Sequence, residues 1–258
     1  MADGDILDES GSTIRLGVRY RPHGKLFYYR SVAVEPEIPF AETVLFQDDF
    51  LVVADKPHFL PVTPAGRYAQ QTLLVRLKRK LGIETLAPMH RIDRDTAGLV
   101  LFTVQPGTRN AYQRLFRERD VEKIYEAIAP WRSDLTLPTI YRSRLIESAQ
   151  FMQMREAPGE PNAETAIDVL EVRGDLARYQ LRPHSGRKHQ LRAHMNALAI
   201  PIVNDRIYPL LQPHSAGGED FDHPLQLLAK KLAFTDPVNG EARCFESRRE
   251  LSQFKITT

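Results

Sequence analysis

One cysteine, Cys244, in 258 residues leaves no partner for an internal disulfide, so the chain reads as a protein of a reducing compartment. Long hydrophobic runs are missing too. The longest apolar stretch, Ala97 to Val104, falls far short of the roughly 20 residues that a spanning helix needs. The opening MADGDILDES is acidic where a secretory signal is basic and then apolar. The expected location is the cytosol, with no membrane partner. Nor is there an excess of one charge: 35 Lys and Arg against 33 Asp and Glu give a net charge of +2. Internal repeats and low-complexity tracts are absent. What is present is 42% hydrophobic residues, enough to fill the core of one large domain.

The balanced charge is unevenly spread. Residues 1–50 hold five basic and nine acidic side chains, Arg67 to Tyr125 twelve and six, and Arg178 to Arg206 six and one. Arg outnumbers Lys by 26 to 9, and Arg is the side chain that forks onto phosphates and stacks on bases. A solvated, arginine-biased surface would give the same composition, so motifs have to decide.

Local patterns predict an α+β domain. Residues 1–40 read as an N-terminal extension, strand-like at KLFYYRSVAV and closed by EPEIP, with the main domain at 41–258. TVLFQDDFLVVADKP reads as a hairpin around Asp48-Asp49 that stops at Pro57. QTLLVRLKRKLG puts Leu73, Leu74, Leu77 and Leu81 on one helical face and ends on Gly82, with Lys78, Arg79 and Lys80 among its basic residues. GLVLFTV is a buried strand. Thr108 is placed to cap a helix whose Tyr112, Leu115 and Phe116 point inward. EKIYEAIA is a strand, TAIDVLEV and ARYQLR a hairpin around Gly174-Asp175, and PHSGRKHQLRAHMNAL a turn leading into a helix. KLAF and ARCFES are late strands joined by TDPVNG.

Two polar knots stand out. In MHRIDRDTAGLVLF, Asp93 sits between Arg91 and Arg94 directly before a buried strand. By default it is an ion-paired loop residue; half shielded beside a cation, it is also a carboxylate fit to act as nucleophile or base. In HSGRKHQLRAH, Ser185 and Gly186 form a turn into a helix N-terminus, to which Arg187, Lys188 and Arg192 add charge, an arrangement suited to a phosphate or carboxylate. His184, His189 and His194 recur at spacings of five, unlike a helical i, i+4 metal pair, and read as hydrogen-bonding residues. Tyr125 reads by default as a half-buried strand aromatic. Asp95 is too near Asp93 in one loop to serve as the second carboxylate of a glycosidase.

HRIDRDTAGLVLF resembles the H-R-L-D-R-x-T-x-G-L-L-L signature of the RluA-type pseudouridine synthase family. Three further stretches match in the family's order: VVADKPHFLPVTPAG, KIYEAI, and SGRKHQLRAH with PIVNDRIYP. The resemblance covers about residues 44–208. It implies a mixed, largely antiparallel central sheet with flanking helices and a central cleft. It also implies isomerisation of uridine to pseudouridine in structured rRNA or tRNA, with no cofactor and no metal. By position, Asp93 would be the catalytic aspartate, Tyr125 the tyrosine against the base, Arg187 the arginine paired with the aspartate, and Arg91 the side chain filling the gap left by the flipped nucleotide. Arg94, His90, Thr96, Lys123, Lys188, His189, Gln190 and Arg192 join Arg91 as expected RNA-contacting residues. A monomer is expected. Ser185, Lys188, Ala199, Asn204 and Leu228 depart from the family pattern, which bears on substrate and loop geometry. The extension is too short for a complete S4-type RNA-binding domain. A non-catalytic RNA-binding protein of the same fold is the rival from another class, and intact Asp93, Tyr125 and Arg187 argue against it.

Overall fold

Buried strands that alternate between two faces set the architecture. The computed structural model describes residues 6–15, 17–20, 22–28, 35–148, 152–212 and 220–254. The elements in chain order are β1 (Ile6–Leu7), β2 (Phe27–Tyr28), β3 (Thr43–Gln47), β4 (Leu51–Lys56), α1 (Leu73–Leu81), β5 (Ala87–Pro88), β6 (Ala97–Thr103), α2 (Arg109–Glu118) and β7 (Glu122–Pro130). After them come β8 (Thr139–Glu147), β9 (Met154–Ala157), β10 (Ala163–Arg173), β11 (Leu176–Pro183), α3 (Gln190–Ala197), β12 (Leu227–Thr235) and β13 (Ala242–Glu246).

Eleven strands form one sheet in the order β3-β4-β6-β12-β7-β11-β10-β8-β9, with β13 added to β12 and β5 to β6. Its described pairings are antiparallel apart from β12 with β6. The domain is therefore α+β with a mixed, largely antiparallel sheet, as the sequence pattern predicts.

Strand β6 is buried along its whole length, and with β4 it carries two hydrophobic layers. Val52, Ala54, Val100 and Phe102 pack in one cluster with Leu73 and Leu77 of α1. Leu51, Val53, Leu99 and Leu101 pack in another with Tyr112 of α2. This two-residue alternation is the geometry of a strand covered on both faces. A third cluster joins β7 and β11 to Leu191 and Met195 of α3.

The turns follow the expected chemistry at several points. Asp48 Oδ1 accepts hydrogen bonds from the Phe50 and Leu51 amides at 2.9 and 2.8 Å, closing the β3–β4 hairpin. Thr72 Oγ1 caps the Val75 amide, and Gly82 ends α1 in the left-handed conformation. Thr108 departs from expectation. Its backbone is already helical after the short turn Pro106–Thr108, and its hydroxyl donates to the Gln105 carbonyl instead of capping α2. Helix α3 starts at Gln190, later than a Ser185-Gly186 turn would place it, because His189 sits at φ 52 and breaks the helical path. Of KLFYYRSVAV, residues 29–34 lie outside the described residues. Packing on the main domain begins before residue 41: Ile38 is in the core, and Phe40 stacks on Phe59 and meets Phe221 edge-on.

Gly98 marks a point of close backbone approach in the sheet. Its φ is +109, and a Cβ there would stand 2.3 Å from the Ala229 carbonyl oxygen, at the parallel junction of β6 and β12. Gly98→Ala should therefore lower stability by more than about 2 kcal/mol, combining left-handed strain with displaced backbone. Gly82→Ala, at φ +68 with nothing within 4 Å of the added carbon, should cost about 1 kcal/mol. Denaturant melts of both variants check this; equal losses would contradict the close-approach argument.

Candidate active site

The loop from Met89 to Thr96 is fastened to the sheet at several points, which fixes where Asp93 stands. The Met89 amide donates to Leu101 O at 2.9 Å, and the Leu101 amide donates back to His90 Nε2 at 3.2 Å. Burial, and secondarily Lys123, pulls the His90 pKa down to about 3, so its ring is neutral and stacks on Phe116 with centroids 4.5 Å apart. Lys56, fully buried at the end of β4, donates from Nζ to Pro57 O and Arg94 O, both at 2.9 Å. Burial lowers its pKa to about 7 against the attraction of Asp95 and Asp93. His58 Nδ1 lies 2.6 Å from Asp95 O and must be the donor, since a carbonyl only accepts. Burial holds His58 near a pKa of 4 and thus neutral. Arg94 chelates Asp95 through Nε and Nη2, each at 2.9 Å. Burial alone would raise Asp95; Arg94, followed by Arg192 and Lys56, more than offsets it and holds the carboxyl below its ordinary value.

The cation beside Asp93 is Arg192. Its Nη1 donates to Asp93 Oδ2 at 3.1 Å, while Nε and Nη2 fork onto Asp205 at 2.8 and 2.6 Å. Arg192 is only 2% exposed and the Asp205 side chain is fully enclosed, whereas Asp93 keeps 28% of its side chain open to the cleft. Asp205 also accepts the Ile207 and Tyr208 amides at 2.8 and 3.1 Å. Burial would lower the Arg192 pKa, but the bonds and charge of Asp205, helped by Asp93, raise it above the ordinary arginine value. Arg192 is a permanent cation that points one N–H at a reachable carboxylate.

This corrects the expectation for Arg187. Arg187 is exposed in the loop before α3, and its Nε donates to Asn162 O at 3.3 Å. The left-handed His189 separates the two arginines: Arg187 precedes the break, and Arg192 lies in the first turn of α3, facing inward. Gln190 also differs from the expected RNA contact. It is 3% exposed, and its amide accepts from Ser185 Oγ and the Arg187 amide and donates to Glu164 O and Thr165 Oγ1. It braces the loop from within.

Asp93, Tyr125, Arg187 and the nine residues expected to contact RNA all line one cleft of about 800 Å³. Arg91 and Lys188 are exposed at its wall, and Thr96 is buried with its amide donating to Asp93 O at 3.2 Å. Tyr125 reaches it from β7; burial, then the charge of Asp93, pushes its phenol above the ordinary value, so it stays protonated. Lys123, from the same strand, is lowered by burial and then by Arg119. His189 Nε2 stands 3.9 Å from Asp93 Oδ2, and burial lowers its pKa despite the pull of Asp93. His194 bonds to Thr165 and Ser143, and among the described residues no three His, Cys, Asp or Glu side chains converge as metal ligands.

Residue-level reading missed Phe116, Arg117 and Arg119, which line the wall from the end of α2, along with the bracing roles of Lys56 and Asp205. The basic block Arg67–Tyr125 contained the two arginines, but nothing in it distinguished them from Lys78, Arg79 and Lys80. Those three lie outside the cleft lining and are engaged locally with Glu84 O, Gln70 and Glu42.

The sequence profile described as RNA pseudouridylate synthase matches residues 50–197, the stretch holding β4, the Asp93 loop, Tyr125 and Arg192. The chain belongs to the RNA pseudouridylate synthase family. Within it, the chain is similar to the dual-specificity RNA pseudouridine synthase RluA of Haemophilus influenzae, at 30% identity over 217 residues, covering 80% of this chain and 93% of that one. An uncharacterized RNA pseudouridine synthase of Synechocystis is 32% identical over 189 residues, covering 71% of this chain; this chain matches 64% of that protein's length. The structure of human RNA pseudouridylate synthase domain containing 4 superposes with a TM-score of 0.61 at 27% identity, over 82% of this chain and 89% of that one.

The different settings of the two arginines give a direct stability test. Arg192→Gln leaves two carboxylates facing a neutral amide in a buried site and should cost about 3–5 kcal/mol. Arg187→Gln, at an exposed position, should stay within about 0.5 kcal/mol of the parent. Urea titration of both variants checks the assignment, and a reversed order would overturn it.

Proposed function

We propose that this family member isomerises uridine to pseudouridine in a structured rRNA or tRNA, with Asp93 as the group that acts on the flipped nucleotide. The observation that carries the reading is the half-open Asp93 carboxylate, held by a buried Arg192 at the floor of a basic cleft. Family membership supports the reaction class, and the basic lining supports a polyanionic substrate.

The reaction breaks the N1–C1′ bond, turns the uracil and joins C5 to C1′, so a cleft must retain both fragments while they are apart. Asp93 can add to C6, attack C1′ or accept the C2′ proton; each route needs an oriented carboxylate, and the hydrogen bond from Arg192 Nη1 supplies that orientation. Tyr125, a neutral phenol beside Asp93, offers a flat face for the base. Extruding a uridine from its stack costs a few kcal/mol. Phosphate contacts from Arg91, Arg117, Arg119, Lys123, Arg187 and Lys188 would offset that cost.

Two outcomes test the reading. Protein treated with chelator should release tritium from RNA carrying [5-³H]uridine, because C5 loses its hydrogen as it joins C1′; activity lost on chelation and restored by zinc would sink the cofactor-free claim. Asp93→Asn should fold and bind RNA as tightly as the parent, yet form no pseudouridine. Retention of a tenth of the turnover would mean a loss of only about 1.4 kcal/mol of barrier stabilisation, too little for the proposed role.

A further inference from the structure

Outside the cleft, the cations of α1 are engaged by nearby acceptors, whereas Arg15, Arg19 and Lys25 of the N-terminal segment have no such partner among the described residues. Between Glu9 and Glu35 the chain has no acidic residue and five basic ones, Arg15, Arg19, Arg21, Lys25 and Arg30, interleaved with Tyr20, His23, Phe27, Tyr28 and Tyr29. Leu7 pairs with Phe27 on one side and Thr13 on the other, so the described residues between Thr13 and Phe27 lie in a loop fastened at both ends. Asp8 Oδ1 secures the base by accepting the Ser10 and Ser12 amides at 2.9 and 3.0 Å.

Apart from the half-buried Ile14, the loop's described residues are exposed. Tyr20 is 88% exposed, Leu26 61% and Phe27 53%, and Arg15, Arg19 and Lys25 are exposed and form no ion pair among the described residues. Exposed apolar rings set among unpaired cations are costly to display without a partner, and together they match the surface of a nucleic-acid strand, phosphates on the cations and bases on the rings.

We infer that the loop 14–26 is a second RNA-binding element, which grips the substrate outside the active cleft through Arg15, Arg19 and Lys25 on phosphates and Tyr20 against a base. The inference rests on the reading of the substrate as RNA and adds where that RNA is held.

The test compares full-length Arg15→Gln/Arg19→Gln/Lys25→Gln with the parent on one structured RNA across a salt series. Three lost phosphate contacts should flatten the plot of log affinity against log salt by about 2 to 3. Affinity at low salt should fall at least tenfold, with the deficit appearing in KM. Tyr20→Ser should weaken binding several-fold without changing the slope. Lys78→Gln/Arg79→Gln/Lys80→Gln is the control and should leave the slope unchanged. Parental affinity and slope in the triple loop variant would overturn the inference, as would loss of binding to phosphatidylserine vesicles with RNA binding intact. If the parent protein releases no tritium while the loop variant still loses RNA affinity, the catalytic reading fails and the loop assignment stands.

Discussion

A single guanidinium shared between two carboxylates organises this protein. Arg192 commits two of its nitrogens to the enclosed Asp205 and a third to the reachable Asp93. A buried cation with one anionic partner would be balanced; with two, it anchors on one and orients the other. Planar fork geometry makes arginine suited to this, since a lysine ammonium cannot chelate Asp205 and reach Asp93 along fixed directions. Asp205 is itself held by two backbone amides, so the position of Asp93 is referred back to the chain at Ile207 and Tyr208.

The rest of the site follows from keeping a charged loop at the edge of a dry core. Charges there are tolerated only when paired and hydrogen-bonded. Lys56 holds the loop by its Arg94 carbonyl, Arg94 and Asp95 neutralise each other, and His58 and His90 remain neutral donors or acceptors. The parallel contact of β6 with β12 lies directly after this loop, and Gly98 lets the two strands approach there. Sheet, loop and carboxylate are thus positioned by one junction, and the end of α2 adds Phe116, Arg117 and Arg119 to the cleft lining, with Phe116 stacked on His90 of the same loop.

Much of this was legible in the residue pattern. Two strand-like runs around Gly174-Asp175 identified the β10–β11 hairpin, Asp48 marked another turn, and leucine spacing together with Gly82 delimited α1. The site motifs were legible as a group, because loops that precede a buried strand and a buried helix open at the same side of the sheet. The partner of Asp93 was not. Arg187 and Arg192 are five residues apart in one basic motif, and only the left-handed turn at His189 sends one outward and the other in. Lys56 was equally opaque, since a lysine ending an apolar strand reads as a solvated tip until the loop that covers it is placed. Charge counting alone also did not show that the cations of α1 have local acceptors.

The dependence of Asp93 on Asp205 through Arg192 is tested most directly by a double-mutant cycle on the single-turnover rate of tritium release at saturating RNA. Asp205→Asn and Arg192→Lys each disturb one end of the fork while preserving approximate size. If the three side chains act as a unit, each single change slows the reaction on the order of 100-fold, as misplacement of a reacting group does, and the double variant is scarcely slower than the worse single one. A silent Asp205→Asn, or losses that multiply in the double variant, would contradict the account.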